Sequence, residues 1–154
     1  MPKPIPDGYH AVTPYLICRG AARAIEFYQR ALGAKELYRL PGPGDTVGHA
    51  ELLIGDSHVM LADESPDGGW RSPQSVGGTP VTMVLYVEDV DAVFRQALEA
   101  GATALREVKD QFYGDRMGTL RDPFGHVWSI GTHVEDVAPE EMSRRAAAAS
   151  QAPA

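Results

Sequence analysis

The sequence predicts an α+β fold: two βαβββ modules that form a cup-shaped, partly closed mixed sheet with helices outside. Three observations predict it. Apolar runs with strand-like alternation recur along the chain, two helical faces each end at a glycine, and the whole pattern restarts halfway. Val12-Thr13 is repeated as Val81-Thr82 and Leu16 as Leu85, at an offset of 69 residues. Leu32-Gly33-Ala34 matches Ala100-Gly101-Ala102, and His58-Val59 matches His126-Val127. One such unit would leave an apolar sheet face open and is too small to bury it well.

In the first unit, Val12 to Ile17 reads as a strand. Ala24, Phe27, Tyr28 and Ala31 then fall at helical spacing before Gly33. Lys35–Leu40, Val47–Ile54 and His58–Ala62 are strand candidates, with Pro41–Asp45 and Gly55-Asp56-Ser57 as turns. In the second unit the strand is Val81–Val87. Asp89 is a helix N-cap, and Val90, Val93, Phe94, Ala97 and Leu98 make the apolar helical face before Gly101. Thr103–Val108, Met117–Arg121 and His126–Ile130 complete it around the Asp122-Pro123-Phe124-Gly125 turn. The expected organisation is an arm (1–9), a first module (10–62), a linker (63–80), a second module (81–133) and a tail (134–154) with a short helix that frays before Ala154. The linker is rich in Gly, Pro and Ser. Its composition supports a strap, and Trp70 allows a lid over the cup as the other reading.

The 154 residues include 14 Lys+Arg and 21 Asp+Glu, a net charge of −7. That balance argues against nucleic acid or an anionic membrane as partner. No apolar run nears the length of a membrane span, and the start Met1-Pro2-Lys3-Pro4 lacks a signal-peptide core. Cys18 is the one cysteine, so no internal disulfide forms; it has no activating neighbour and reads as a buried, inert thiol. The expected location is the cytoplasm.

His49 and Glu51 lie two apart on one strand and point to the same face. If that face lines the cup, they are an acid/base or ligand pair; otherwise they satisfy each other on a sheet surface. Tyr113-Gly114-Asp115-Arg116 is the densest polar cluster of the second module. Arg116 could pair with an anionic ligand and Asp115 could act as a base, or the two fix a strand bulge. Tyr15 and Tyr86 put phenols near the cup. His58 and His126 each follow a turn and read as structural; His133 is expected to contact the tail, and His10 sits three residues before Thr13.

Several of these segments together resemble the vicinal oxygen chelate superfamily, which includes glyoxalase I, bleomycin-resistance proteins and extradiol dioxygenases, and within it the PhnB-like branch. They are Val12–Leu16 with Ala24–Tyr28, His49–Leu52 with Ile54-Gly55-Asp56, Gly77–Pro80, Tyr86–Ala92, Tyr113–Arg116, and Asp122–Trp128 with Thr132-His133. The resemblance spans about Val12 to Arg145. It implies the two-module fold, a homodimer whose cups are completed across chains, and a divalent metal held by His or Glu/Gln on the first and last strand of each module. Those positions fall on Thr13, Met60 (or Leu61 in the other alignment), Thr82 and Ser129. None is a good ligand for such an ion, so no metal or other cofactor is expected there. A displaced site would draw on His10, His49, Glu51, His58, His126 and His133.

The expected function is small-molecule binding of the glyoxalase/bleomycin-resistance type. Drug or toxin sequestration and metal-free proton transfer by Glu51 or Asp115 are its two forms. His49, Glu51, Trp70, Tyr113 and Arg116 are the expected ligand contacts. The alternative is a metal-dependent lyase, isomerase or dioxygenase with a nonstandard His/Glu site, and a third reading is an interaction module whose cup is filled by its own side chains.

Overall fold

The computed structural model describes residues 1–151. The module pattern read from the sequence is present twice: β1 (Tyr15–Cys18), α1 (Ala21–Leu32), β2 (Lys35–Pro41), β3 (Val47–Ile54) and β4 (Ser57–Asp63), then β5 (Thr82–Tyr86), α3 (Val90–Ala100), β6 (Thr103–Asp110), β7 (Asp115–Arg121) and β8 (Val127–His133). Between them lie a 3-10 turn at Pro66–Gly68 and the one-turn helix α2 (Pro73–Val76); α4 (Pro139–Gln151) follows the second module. The end of the tail, 152–154, lies outside the described residues.

Each module is a four-stranded mixed sheet, ordered β1-β4-β3-β2 and β5-β8-β7-β6. In each, the first strand runs parallel to the last and the other pairs are antiparallel. The two sheets stay separate instead of joining through β1 and β5. One reason is visible at the β1 edge: the His126 imidazole hydrogen-bonds the Ile17 carbonyl at 2.9 Å, so a side chain occupies a place that a strand would take. Side chains of Thr79, Val81 and Met83 line a small cleft against Pro14 and Leu16 there.

α1 and α3 flank the sheets and pack side by side. Ala24, Ile25, Phe27, Tyr28 and Ala31 of α1 are buried with Val90, Phe94 and Ala97 of α3 in one core shared by both modules. Burying a full Phe- or Leu-sized side chain stabilises by roughly 1.5–3 kcal/mol, so these helical faces hold the two units together. α1 has no side-chain cap of its own. Asp63 on β4 accepts from the Gly20 and Ala21 amides at 2.9 Å each and supplies the missing N-terminal acceptor. Gln96 of α3 donates to the Arg30 and Ala31 carbonyls at the other end.

Strand ends differ from the expected ones where pairing, not composition, sets them. β1 begins at Tyr15 and not Val12, although the Pro14 carbonyl accepts from the Met60 amide just before it. β7 begins at Asp115 and β8 runs on to His133, because those two residues pair across the ladder. The linker is anchored: Glu64 accepts from Ser72 and Ser75, and Arg19 from β1's end reaches both Glu64 and Ser75. These bonds hold the Glu64 carboxyl down to about 2.

Candidate functional site

Side-chain alternation gives each sheet two unlike faces. In the first module Ala50, Leu52, Val59 and Leu61 face the helices and are buried. The opposite, open face carries Tyr15, His49, Glu51, His58 and Met60; the register places Tyr15 beside Met60, Met60 beside Glu51, and Glu51 beside Tyr38.

These open-face groups form a connected cluster. Glu51 is only 4% exposed. Its carboxylate accepts from the Tyr9 and Tyr38 hydroxyls and meets His49 Nε2 at 3.3 Å. The other ring nitrogen of His49 lies 2.7 Å from the Tyr15 hydroxyl. Tyr15 in turn contacts Trp70, with ring centroids 5.6 Å apart. Trp70 is 53% exposed, so the linker sets it at the rim of the open face. Burial pushes the Tyr15 phenol up, with help from Tyr38, so it is a proton donor at neutral pH.

Two clefts open on this cluster. One, of about 410 Å³, lies under the N-terminal arm and reaches Glu51, Met60 and Thr13. The other, of about 530 Å³, lies beside Tyr15 and Trp70. The arm is held by Tyr9, whose ring stacks on His58 at 3.8 Å while its hydroxyl reaches Glu51. His58 Nδ1 is buried without a hydrogen-bond partner among the described residues.

The second module's open face carries a different polar group, at the end of β7 and β8. Asp115 is buried and accepts from the Tyr86 hydroxyl at 2.6 Å. His133 Nδ1 lies 2.7 Å from Asp115, and its Nε2 lies 2.8 Å from Asp136. Burial alone would raise the Asp115 carboxyl, but the bonds from Tyr86 and His133 outweigh it and hold it below its ordinary value. The bond to Asp115 pushes the Tyr86 phenol up. Asp136 first, then Asp115, raise His133. A folded pKa above the unfolded one stabilises fully below the unfolded value of 6.5 and is lost as pH rises through the folded value. Imidazole NMR titration is therefore expected to put His133 above 6.5, with Asp136→Asn moving it down; a midpoint at or below 6.5 would contradict the geometry.

The placement of the expected contacts is uneven. His49, Glu51 and Trp70 share one face or its rim, whereas Tyr113, whose hydroxyl lies 3.3 Å from Met117 Sδ, belongs with the second module's face. Arg116 is misplaced by the sequence reading. It points to the helix side, where it donates two bonds to Asp91 and one to Asp110. Adjacent strand residues face opposite ways, so Arg116 cannot share the open face with Asp115. Nor does it fix a bulge with Asp115. Tyr9 and Tyr38 were not singled out in the sequence, and both touch Glu51 directly. Cys18 is fully buried, and burial followed by Asp122 and Asp63 pushes its thiol far up.

The donor set at the superfamily's metal positions does not fit a hard or borderline divalent ion. It consists of Thr13, Met60, Thr82 and Ser129, and the Ser129 hydroxyl is already bonded to Thr119 at 2.8 Å. Leu61, the other alignment, is buried on the helix side. Among the described residues no three His, Cys, Asp or Glu side chains converge as metal ligands.

Fold and site together define a protein of the Glyoxalase/Bleomycin resistance protein/Dioxygenase superfamily. The family model matches residues 9–130, and the chain belongs to that superfamily. An uncharacterized protein of Mycobacterium tuberculosis is 48% identical over 144 residues, covering 92% of this chain and 84% of its own length. TioX from Micromonospora sp. ML1 matches with a TM-score of 0.64 and 27% identity, over 81% of this chain and 99% of that one. The PhnB protein of Bacillus cereus shares the fold, with a TM-score of 0.61 at 19% identity over 80% of this chain and 99% of that one.

Proposed function

We propose that the protein binds a small organic molecule on the open face of its first module, without a divalent ion at the superfamily's position. The observation that carries this reading is the convergence of Tyr9, Tyr38 and His49 on the buried Glu51, with Tyr15 on His49 and Trp70 at the rim. A concave, largely aromatic surface with a few oriented polar groups is what a ligand site needs. A second copy completes the cup with the open face of its second module, where Val84 and Tyr86 are each 58% exposed. The homodimer accounts for aromatic and aliphatic side chains left facing water on both sheets. Among the described residues no helix is long and apolar enough to cross a membrane; the acidic composition and single buried cysteine support a cytoplasmic location.

Sequestration needs only this surface. Metal-free proton transfer would use Glu51, which is within reach of two phenols and an imidazole that can pass a proton on. Asp115 is less suited to the role, because the bonds from Tyr86 and His133 hold its carboxyl below its ordinary value.

A thermal-shift screen of drug-like and aromatic compounds tests the reading. A ligand at about 100 times its Kd adds roughly 2.7 kcal/mol. For a chain of this size that raises Tm by roughly 5–10 °C. The rise is expected to persist with a chelator present. Stabilisation or turnover only after adding a divalent ion would contradict the reading.

A further inference from the structure

We infer that the cleft under the N-terminal arm is a site for a small organic cation, a protonated amine, with Glu51 as its counter-charge. The inference rests on the binding reading above and names the chemical class of ligand. Beside Glu51, its one carboxylate among the described residues, the cleft is lined mainly by apolar or aromatic side chains such as Ile5, Tyr9 and Met60, with His10 and Thr13 as its other polar groups. Among the described residues, neither this cleft nor the one beside Trp70 is lined by lysine or arginine.

Buried charges are normally paired. Glu51 is hydrogen-bonded, but among the described residues the one basic side chain within ion-pair distance is His49, which is charged only when protonated. The tyrosine hydroxyls orient the carboxylate without neutralising it. A protonated amine would neutralise it beside the Tyr9 ring, an aromatic wall of the kind that favours cations. An anion would meet an unneutralised carboxylate in a chain of net charge −7. Tyr9 then has two roles: it anchors the arm on His58, and it forms the wall of the cleft above the carboxylate.

Benzylammonium, benzyl alcohol and benzoate share one ring and differ in charge, so they are the probes. Binding to the intact protein at pH 7 is followed by the Met60 methyl resonance and by calorimetry. Benzylammonium is expected to bind at least tenfold more tightly than benzyl alcohol, and benzoate more weakly still. Glu51→Gln is expected to bring the amine-to-alcohol ratio near one. Tyr9→Phe, which keeps the ring on His58, is expected to keep that ratio. If Glu51→Gln fails to fold, the three-probe ranking on the natural protein, with Tyr9→Phe, still decides. Equal or tighter binding of the alcohol or benzoate would overturn the cation assignment and leave the binding reading standing. So would an amine preference that survives Glu51→Gln, or no binding of benzylammonium. Failure of every compound in the thermal-shift screen would overturn the binding reading itself.

Discussion

Asp122→Ala is expected to lower the unfolding free energy by about 3–5 kcal/mol in urea or guanidinium titration, a large single-substitution effect that comes from stranding several buried donors at once. Asp122 is 3% exposed and sits where the modules meet. One carboxylate oxygen accepts from the Phe124 and His126 amides at 2.9 and 3.0 Å, closing the turn before β8. The other accepts from the Tyr28 hydroxyl of α1 and from Trp128 Nε1 at 3.0 Å. Alanine would strand four buried or half-buried donors, each costing about 1–3 kcal/mol when left unmet, with partial relief from water and relaxation. Asp122→Asn is expected to cost about half as much. Its oxygen can keep the turn amides, but its NH2 then faces the indole N–H, another donor. A loss under 1 kcal/mol for alanine would show that the lock between α1 and the second module is not structural.

Gly114→Ala is the second large effect, expected at about 3 kcal/mol or more. Gly114 has φ +98°, a region L side chains avoid at roughly 1–2 kcal/mol. An added Cβ would fall 2.2 Å from the Glu135 carbonyl oxygen, which is backbone and cannot swing away. The same glycine carbonyl accepts from the Val134 and Glu135 amides, so the chain after β8 is tied down at this point. Moving it would part Asp136 from His133, and the His133 titration midpoint is expected to fall toward 6.5 along with stability. Gly33→Ala is the control: φ is +67°, but the added methyl meets open space, so about 1 kcal/mol is expected. Equal costs for the two would contradict the packing argument.

The modules were legible because their signals are local. Alternation in Val47–Ile54 and the 3.6-residue spacing from Ala24 to Ala31 mark elements whose inner faces are buried. The same alternation was enough to put His49 and Glu51 on one face. Tyr9 was not legible: it lies in an arm without periodicity, and its ring is placed by contacts with His58 and Glu51, over 40 residues away. Tyr38 was hidden by the irregularity between Glu36 and Tyr38, which breaks the count of alternating faces on β2. Arg116 was misassigned because Tyr113–Arg116 reads as a turn; once β7 starts at Asp115, strict alternation sends the guanidinium to Asp91. The Asp115–His133 contact joins two strand ends that the apolar pattern alone made too short.

Native mass spectrometry of untagged protein, purified without chelator, tests most directly the central claim that a second copy completes a metal-independent binding cup. A dimer is expected at micromolar concentration, carrying either an organic mass or nothing, and no stoichiometric divalent ion. A monomer alone, or a dimer holding one divalent ion per chain, would contradict it.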